Sequence, residues 1–148
     1  MVLGSLPGEA SLAAERYYAH PRNQFWLLLG SVLNEALMDL RYEGRLERLL
    51  ERGVGLWDTV AQAERRGSLD GAMRAVAPNP LRELVGELPA LRAIAFNGGT
   101  AGRVGRGALG PTSLHLIDLP SSSPALTLPF AVKAERWAAL RSYVIDRG

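Results

Sequence analysis

The chain has 148 residues, enough for one domain with a hydrophobic core, and its 47% apolar and 22% charged residues exclude a disordered segment. It has no cysteine and only two histidines, which excludes disulfides and thiolate metal sites, so we expect no metal and no cofactor. The net charge of +2 is carried almost wholly by arginine, since Lys133 is the only lysine; this fits either a polyanionic partner or the codon preference of a GC-rich genome.

The apolar runs of the sequence are far shorter than a membrane span, and no basic stretch followed by a long apolar run opens the chain. We therefore expect a cytoplasmic protein without a membrane partner, folded as one domain over residues 1–148 and present as a monomer. The first predicted strand has only three residues before Gly4, whereas strands commonly run to about five or six. Either translation starts upstream of Met1, or this strand is a shortened one.

Short apolar runs alternate along the chain with segments of helical periodicity. In chain order the sequence predicts a strand ending at residue 4, helices over 9–16, 23–40 and 43–52, a strand in VGLWDTV, irregular to helical structure over 59–80, a helix from 81 to 89, a strand in LRAIAFN, a Gly- and Arg-rich loop over 100–108, a strand in TSLHLIDL and a helix over 133–147. Continuous apolar strands with helices between them predict an α/β fold. We expect a three-layer α/β/α sandwich around a short, mostly parallel central sheet.

Three of the predicted strands end in loops of small or polar residues, GSLPG, FNGG and LPSSSP. In open parallel sheets, ligands bind outside the carboxyl ends of the strands, so we expect these loops, and the segment YYAHPRN, to meet at one rim. In the first loop, Gly4 and Gly8 permit close backbone approach and Pro7 stiffens the turn. The same residues are also common in plain turns.

Several polar residues of these loops have both a functional and an ordinary interpretation. The amide of Asn97 could read a base edge, but Asn before two glycines is also a frequent turn residue. The serines at 121–123 could cradle a phosphate, or form a solvated loop. Arg103 and Arg106 could contact a nucleic-acid backbone or lie in solvent, and His20 could be a packing residue at a helix entry.

The stretch YYAHPRNQFW, residues 17–26, combines four aromatic side chains with a histidine, an arginine and an asparagine. A plain amphipathic helix needs no such mixture, although Tyr17 and Tyr18 could be half-buried packing residues. Stacking rings beside an amide are suited to holding a planar, hydrogen-bonding ligand.

The motifs GSLPGEASL, YYAHPRNQFW, IAFNGG and LPSSSPA, in that order, resemble those of the uracil-DNA glycosylase superfamily. The sequence is most similar to the hypoxanthine (deoxyinosine) DNA glycosylase branch, and next to the mismatch-specific uracil glycosylases. The similarity covers nearly the whole chain, including WD at 57–58, the PN before LRELV, and the K-x-x-x-W spacing of Lys133 and Trp137.

This resemblance implies a DNA repair enzyme that flips a deaminated base, hypoxanthine or uracil, out of DNA and hydrolyses its N-glycosidic bond. It implies that the base pocket is lined by Gly4, Ser5, Leu6, Tyr18, Phe25 and Asn97, with Tyr18 or Phe25 stacking on the base. It implies that the DNA backbone is contacted by Pro7, Gly8, His20, Ser121, Ser122 and Ser123.

The sequence departs from the family pattern at the positions that usually handle water. Family members commonly carry Asp or Asn where Leu6 stands, or Glu where Ser5 stands, and this chain has neither. The resemblance to the deoxyinosine branch therefore implies that Asn23 is the catalytic residue, which orients water and stabilises charge. Leu119 stands where some members carry a histidine, so the leaving base must be stabilised by Asn97 and by backbone N–H groups.

Two other interpretations remain open from the sequence. Leu6 and Leu119 favour a non-catalytic nucleic-acid-binding module on a glycosylase scaffold, whereas HPRN, FNG and the serine loop argue against it. A flavodoxin-like or nucleotide-binding α/β protein is the weaker alternative, because GSLPG lacks the lysine of a P-loop and the spacing of a dinucleotide fingerprint.

Overall fold

A computed structural model describes residues 1–4, 17–58 and 81–146, so the predictions made for 9–16 and 59–80 lie outside the described residues. The chain groups into two compact units, each built from two stretches of sequence. The first unit comprises Met1–Leu6 and Leu56–Asp118, and the second comprises Pro7–Gly55 and Leu119–Gly148.

The described residues form strands and helices in alternation, as the sequence predicts. The strands are β1 (Val2–Gly4), β2 (Leu56–Asp58), β3 (Ala93–Asn97) and β4 (His115–Leu119). The helices are α1 (Phe25–Leu33), α2 (Tyr42–Glu51), α3 (Leu81–Gly86), α4 (Gly99–Leu109) and α5 (Phe130–Trp137), with 3-10 turns at Leu37–Asp39 and Ala138–Tyr143. The α/β class expected from the sequence is confirmed.

The first unit is built on a parallel sheet whose described strands lie in the order β2-β1-β3-β4. Val2 of β1 pairs with Leu56 on one side and with Ala95 on the other. The chain therefore runs from β1 to one neighbour and later returns to the other side of β1. In parallel α/β sheets such a reversal of strand order opens a crevice at the carboxyl ends of the two central strands, here β1 and β3.

Helices α3 and α4 pack on this sheet through a small apolar core. The core consists of Leu3, Leu81, Ile94, Phe96, Ala101 and Leu109, and each of these side chains is at most 3% exposed. The apolar runs of the sequence therefore mark β1 and β3 correctly as buried strands, whereas β4 is buried only at Leu119.

Helix α4 corrects the sequence prediction, which placed a Gly- and Arg-rich loop over residues 100–108. Glycine lowers helix propensity by about 1 kcal/mol per residue, which favours a loop when only the sequence is considered. Here Gly102 is buried, and a Cβ atom on it would lie 3.2 Å from Oδ1 of Asp118 and 3.7 Å from Cβ of Phe96. The glycine therefore permits close packing of the helix on the sheet.

The second unit is organised around α1, which packs against α5. The sequence predicts a helix over 23–40, but α1 ends at Leu33 because Asn34 adopts the left-handed conformation at φ 55°. The N–H of Glu35 then donates to the carbonyl of Gly30 at 2.9 Å, which closes the helix end. The predicted last helix, 133–147, begins earlier, directly after Pro129, and gives way to a 3-10 turn at Ala138.

Arginine side chains complete the carboxyl end of α1. Arg52, only 6% exposed, donates to the carbonyl of Leu33 at 3.1 Å and to the carboxylate of Glu35, which also accepts from Arg48. Burial raises the pKa of Glu35, but the hydrogen bonds from the two arginines outweigh it and hold this pKa below its ordinary value. The helix end is therefore fixed by an ion-pair network and not by packing alone.

Of the helices that the structure describes, none is long and apolar enough to cross a membrane.

Candidate active site

The segment between Tyr17 and α1 is held by hydrogen bonds to its backbone. The N–H of Tyr17 donates to the hydroxyl of Tyr42 at 2.9 Å, and the indole N–H of Trp26 donates to the carbonyl of Tyr17 at 3.3 Å. The carbonyl of His20 accepts from the N–H of Asn23 at 3.0 Å, forming a turn. The imidazole of His20 is exposed, and its Nδ1 accepts from the N–H of Arg22 at 3.0 Å.

Tyr18 and Phe25 stack on each other. Their ring centres are 3.9 Å apart and their planes differ by 7°, so the rings are already in van der Waals contact and no third ring fits between them. Phe25 is fully buried, with the edges of Trp26 and Trp137 against it at 5.0 Å and 5.8 Å between ring centres. Tyr18 has φ 55°, a conformation that few residues other than glycine adopt. Because Phe25 is buried and stacks on one face of the Tyr18 ring, it supports that ring from beneath.

The side chain of Asn23 is fixed by two donors. Its Oδ1 accepts from the N–H of Phe25 at 2.9 Å and from Oγ of Ser122 at 2.7 Å. Ser122 is only 1% exposed and Asn23 is half-buried, so the hydroxyl end of this contact between residues 99 positions apart is buried. A carbonyl-type oxygen has two lone pairs, and both are engaged here.

The serine loop, residues 120–123, follows β4 directly. The carbonyl of Ser122 accepts from the N–H of Gln24 at 2.9 Å, which ties the loop to the start of α1. Oγ of Ser121 accepts from the N–H of Ser123 at 3.1 Å, and Oγ of Ser123 accepts from the N–H of Ala125 at 3.1 Å. The hydroxyls of Ser121 and Ser123 therefore accept from the loop's own backbone and keep their O–H donors for other acceptors.

Lys133 and Trp137 of α5 anchor the serine loop. Nζ of Lys133 donates to Oε1 of Gln24 at 3.0 Å and to the carbonyl of Ser123 at 3.2 Å, while the indole N–H of Trp137 donates to the carbonyl of Pro120 at 2.9 Å. Lys133 and Trp137 are both fully buried, and burial lowers the pKa of Lys133. The fixed loop in turn fixes the hydroxyl of Ser122.

The spacing of Lys133 and Trp137 forms part of the family resemblance, but neither residue was predicted to act in the site, and Gln24 was not predicted to contribute. Residues four apart lie on one face of a helix, so the sole lysine and a tryptophan at this spacing were a usable signal of a shared contact surface. Gln24 gave no such signal, because its partner is 109 positions away.

In the first unit, Gly4 and Asn97 end adjacent strands. Leu3 pairs with Phe96 in parallel register, so the next residue of each strand, Gly4 and Asn97, lies at the carboxyl edge. Both residues are buried. Gly98 follows Asn97 at φ 100°, a left-handed conformation suited to glycine, and α4 begins at the next residue. Asn97 thus stands at the crevice position of the sheet.

Arg106, a suggested DNA contact, forms an ion pair within the first unit. Its Nη1 and Nη2 lie 2.6 Å and 3.1 Å from the two carboxylate oxygens of Asp118, and its guanidinium lies 4.8 Å from the ring centre of Phe96. The hydrogen bond to Asp118 raises the pKa of Arg106. Arg103, on the same helix, is exposed.

The structure thus brings Tyr18, Asn23, Phe25 and the serine loop together in the second unit, and Gly4 and Asn97 together in the first. The predicted site residues Ser5, Leu6, Pro7 and Gly8 lie outside the described residues. The expectation that all the loops meet at one rim therefore stays a prediction. Across the part of the chain that the structure describes, no group of three or more His, Asp or Glu side chains could hold a metal ion.

Comparison with known proteins places these motifs in a family. The family model of the uracil DNA glycosylase superfamily matches residues 1–141. Two curated proteins named hypoxanthine DNA glycosylase, from Methanosarcina barkeri and Methanosarcina acetivorans, are each 39% identical to this chain over 102 residues. The matched part is 69% of this chain and 65% of each relative, so it spans slightly less than two thirds of their length.

A solved structure is similar over nearly the whole chain. The solution NMR structure of a candidate uracil DNA glycosylase from Methanosarcina acetivorans superposes with a TM-score of 0.77 at 34% sequence identity. The superposition covers 95% of this chain and 88% of that one.

Proposed function

Because the chain belongs to the uracil DNA glycosylase superfamily, we propose that it is a monofunctional DNA glycosylase, which takes a deaminated base out of the DNA stack and hydrolyses its N-glycosidic bond. The products are a free base and an abasic site. The observation that carries the proposal is the hydrogen bond from the buried hydroxyl of Ser122 to Asn23, which fixes an amide next to a stacked pair of aromatic rings.

The stacked pair suggests how the base is held. Phe25 is fully buried beneath Tyr18, so Tyr18 is the ring that offers a face to the base and Phe25 acts by supporting it. Stacking tolerates any base, because every base has a π face, and alanine substitution of such a ring costs about 1–3 kcal/mol per base. Selection must therefore come from hydrogen bonds to the base edge.

Asn97 is suited to select the base and to stabilise its departure. Hypoxanthine and uracil each present a carbonyl next to an N–H, which an amide can match with one donor and one acceptor. Helix α4 begins two residues after Asn97, and the first N–H groups of a helix have no partner within it. A partial positive charge at this helix end favours the anionic form in which the base leaves.

Asn23 is the catalytic residue in this proposal. An amide is barely basic, so it acts by orienting the attacking water while the C1′–N bond breaks ahead of water attack. The electron pair of that bond leaves with the base, the water oxygen bonds to C1′, and the surplus proton of the water passes to solvent as the base takes up a proton. Removing one oriented polar group from an active site typically costs about 100- to 1,000-fold in rate, with smaller losses for less critical groups.

The serine loop fits contact with the DNA backbone, with one revision. Ser121 and Ser123 keep hydroxyl donors that can reach phosphate oxygens, whereas Ser122 is buried and donates to Asn23. The phosphate contact expected of Ser122 is therefore not retained in the proposal. The exposed His20, at the turn before Asn23, remains a candidate backbone contact.

Hypoxanthine is the base we propose as preferred, and uracil is the second candidate. The name shared by both curated relatives, which are 39% identical to this chain, specifies hypoxanthine. The partner is accordingly DNA that carries a deaminated base.

The test uses three oligonucleotides of one sequence, carrying a single hypoxanthine, a single uracil or the normal base. After incubation with the protein and treatment with alkali, we expect strand breaks at hypoxanthine, fewer at uracil and none in the normal strand. A band shift without alkali-labile sites would instead identify a non-catalytic DNA-binding module. A mock preparation from host cells that do not express the protein, purified in parallel, controls for a contaminating host glycosylase.

A further inference from the structure

The hydroxyl of Ser122 is placed with more constraints than a solvated loop requires. Its loop is anchored at Pro120 by Trp137, at Ser123 by Lys133, and at its own carbonyl by the N–H of Gln24. These three anchors come from α5 and from the start of α1. Ser122 is the most buried serine of the loop, at 1% exposure, and its Oγ lies 2.7 Å from Oδ1 of Asn23.

The two donors on Oδ1 determine which way the amide of Asn23 faces. The N–H of Phe25 can only donate, so the atom it meets at 2.9 Å must be the amide oxygen. The Ser122 hydroxyl occupies the second lone pair of that oxygen. Nδ2 then points away from both donors, and no described residue accepts a hydrogen bond from it.

We propose that Ser122 is a positioning residue that locks Asn23 with Nδ2, and not Oδ1, towards the substrate. This inference rests on the catalytic role proposed for Asn23. In the locked orientation, Nδ2–H donates to the oxygen of the attacking water and holds its remaining lone pair towards C1′. Because Oδ1 is fully engaged, the amide does not accept the proton of the water, which passes to solvent as the C1′–O bond forms.

The locked amide also explains how a neutral residue can replace a carboxylate here. A carboxylate presents acceptors in any orientation, whereas an amide presents a donor or an acceptor depending on its rotation about the Cβ–Cγ bond. A site that uses an amide therefore needs a second group that sets this rotation, and the buried hydroxyl of Ser122 supplies it.

The test is a double-mutant cycle measured as single-turnover release of hypoxanthine from an oligonucleotide. Loss of one hydrogen bond of about 0.5–1.5 kcal/mol corresponds to a rate loss of about two- to twelvefold. We expect Ser122→Ala to lower the rate constant at saturating protein by about three- to tenfold, with unchanged affinity for DNA. In an Asn23→Ala background, we expect the same substitution to cause no further loss, because the group that it positions is gone.

Two further variants separate positioning from general damage. Ser142→Ala changes an exposed serine of the last 3-10 turn and should leave the rate unchanged. Ser122→Thr keeps the hydroxyl and should recover at least part of the rate lost in Ser122→Ala. An equal rate loss from Ser122→Ala in both backgrounds would overturn the proposal, because Ser122 would then not act through Asn23. Weaker DNA binding with an unchanged rate of base release would also overturn it and would assign Ser122 to the phosphate backbone.

An NMR measurement that does not depend on enzyme activity tests the positioning role of Ser122 separately from the proposed function. The side-chain amide protons of Asn23 can be followed by NMR in the free protein. We expect an ordered amide in the wild type and a mobile one in Ser122→Ala. Equal order in both proteins would overturn the positioning role, whereas an inactive wild type with this difference intact would overturn only the proposed function.

Discussion

Replacing Gly30 with alanine should destabilise the protein, although the same change usually stabilises a helix. Inside an exposed helix the substitution gains about 1 kcal/mol. Gly30 is buried in α1, and a Cβ atom on it would lie 2.6 Å from the carbonyl oxygen of Glu35, which belongs to the backbone and cannot rotate away. That carbonyl accepts from the N–H of Leu37 at 3.0 Å, so moving it also strains the following 3-10 turn.

The expected size of this effect follows from two opposing contributions. Overpacking against fixed atoms costs about 1–3 kcal/mol, and the upper end applies because backbone must move. Subtracting the gain in helix propensity leaves a loss of about 2 kcal/mol in the free energy of unfolding. For a chain of this size that corresponds to a decrease of about 4–8 °C in Tm.

A matched glycine provides the control. Gly44 of α2 has only Cβ of Leu40, at 3.5 Å, near the position of an added methyl group. We expect Gly44→Ala to raise the free energy of unfolding by about 0.5 kcal/mol. Urea titration followed by circular dichroism measures both variants. The reasoning is refuted if Gly30→Ala is as stable as the wild type, or if Gly44→Ala is destabilised equally.

Three further predictions concern the stacked rings, the ion-pair network and DNA binding. Tyr18→Phe should keep base release within about threefold of wild type in single-turnover assays, whereas Tyr18→Ala, which removes the ring, should lose about five- to 150-fold; equal losses in the two variants would show that the hydroxyl, and not the ring, is responsible. Because hydrogen bonds from Arg48 and Arg52 lower the pKa of Glu35, the stability they confer is present above the ordinary value of 4.5 and lost as the pH falls through the lowered pKa. The stability difference between wild type and Glu35→Gln should therefore shrink as denaturation is repeated from pH 7 down to pH 3, and a constant difference would contradict this. Raising salt should weaken DNA binding in proportion to the phosphates contacted, and a flat response in fluorescence anisotropy would exclude the proposed backbone contacts.

The sequence alone predicted the parts of the fold that depend on local pattern. The buried strand in LRAIAFN appears as β3, and the amphipathic stretch over 43–52 appears as α2 to within one residue. Helix α4 was missed because glycine disfavours a helix when only the local sequence is considered. Gly102 is needed in this helix because Phe96 and Asp118 approach it closely. That approach exists only once the sheet has formed.

The candidate site was predictable in its residue types but not in its contacts. The family resemblance drew attention to Tyr18, Asn23 and the serine loop, and the structure brings these residues together. The resemblance gave no means of assigning Ser122 to Asn23 instead of to phosphate, because the two residues are 99 positions apart. The contact of Lys133 with Gln24 was hidden for the same reason, since these two residues are 109 positions apart.

The central claim is that the amide of Asn23 acts in the hydrolysis of the N-glycosidic bond. The most direct measurement is the single-turnover rate of hypoxanthine release by Asn23→Ala and by wild type, with Tm recorded for both. We predict a folded variant whose rate is at least about tenfold lower, as expected for the loss of one oriented polar group. A folded Asn23→Ala protein that releases hypoxanthine at the wild-type rate would contradict the account.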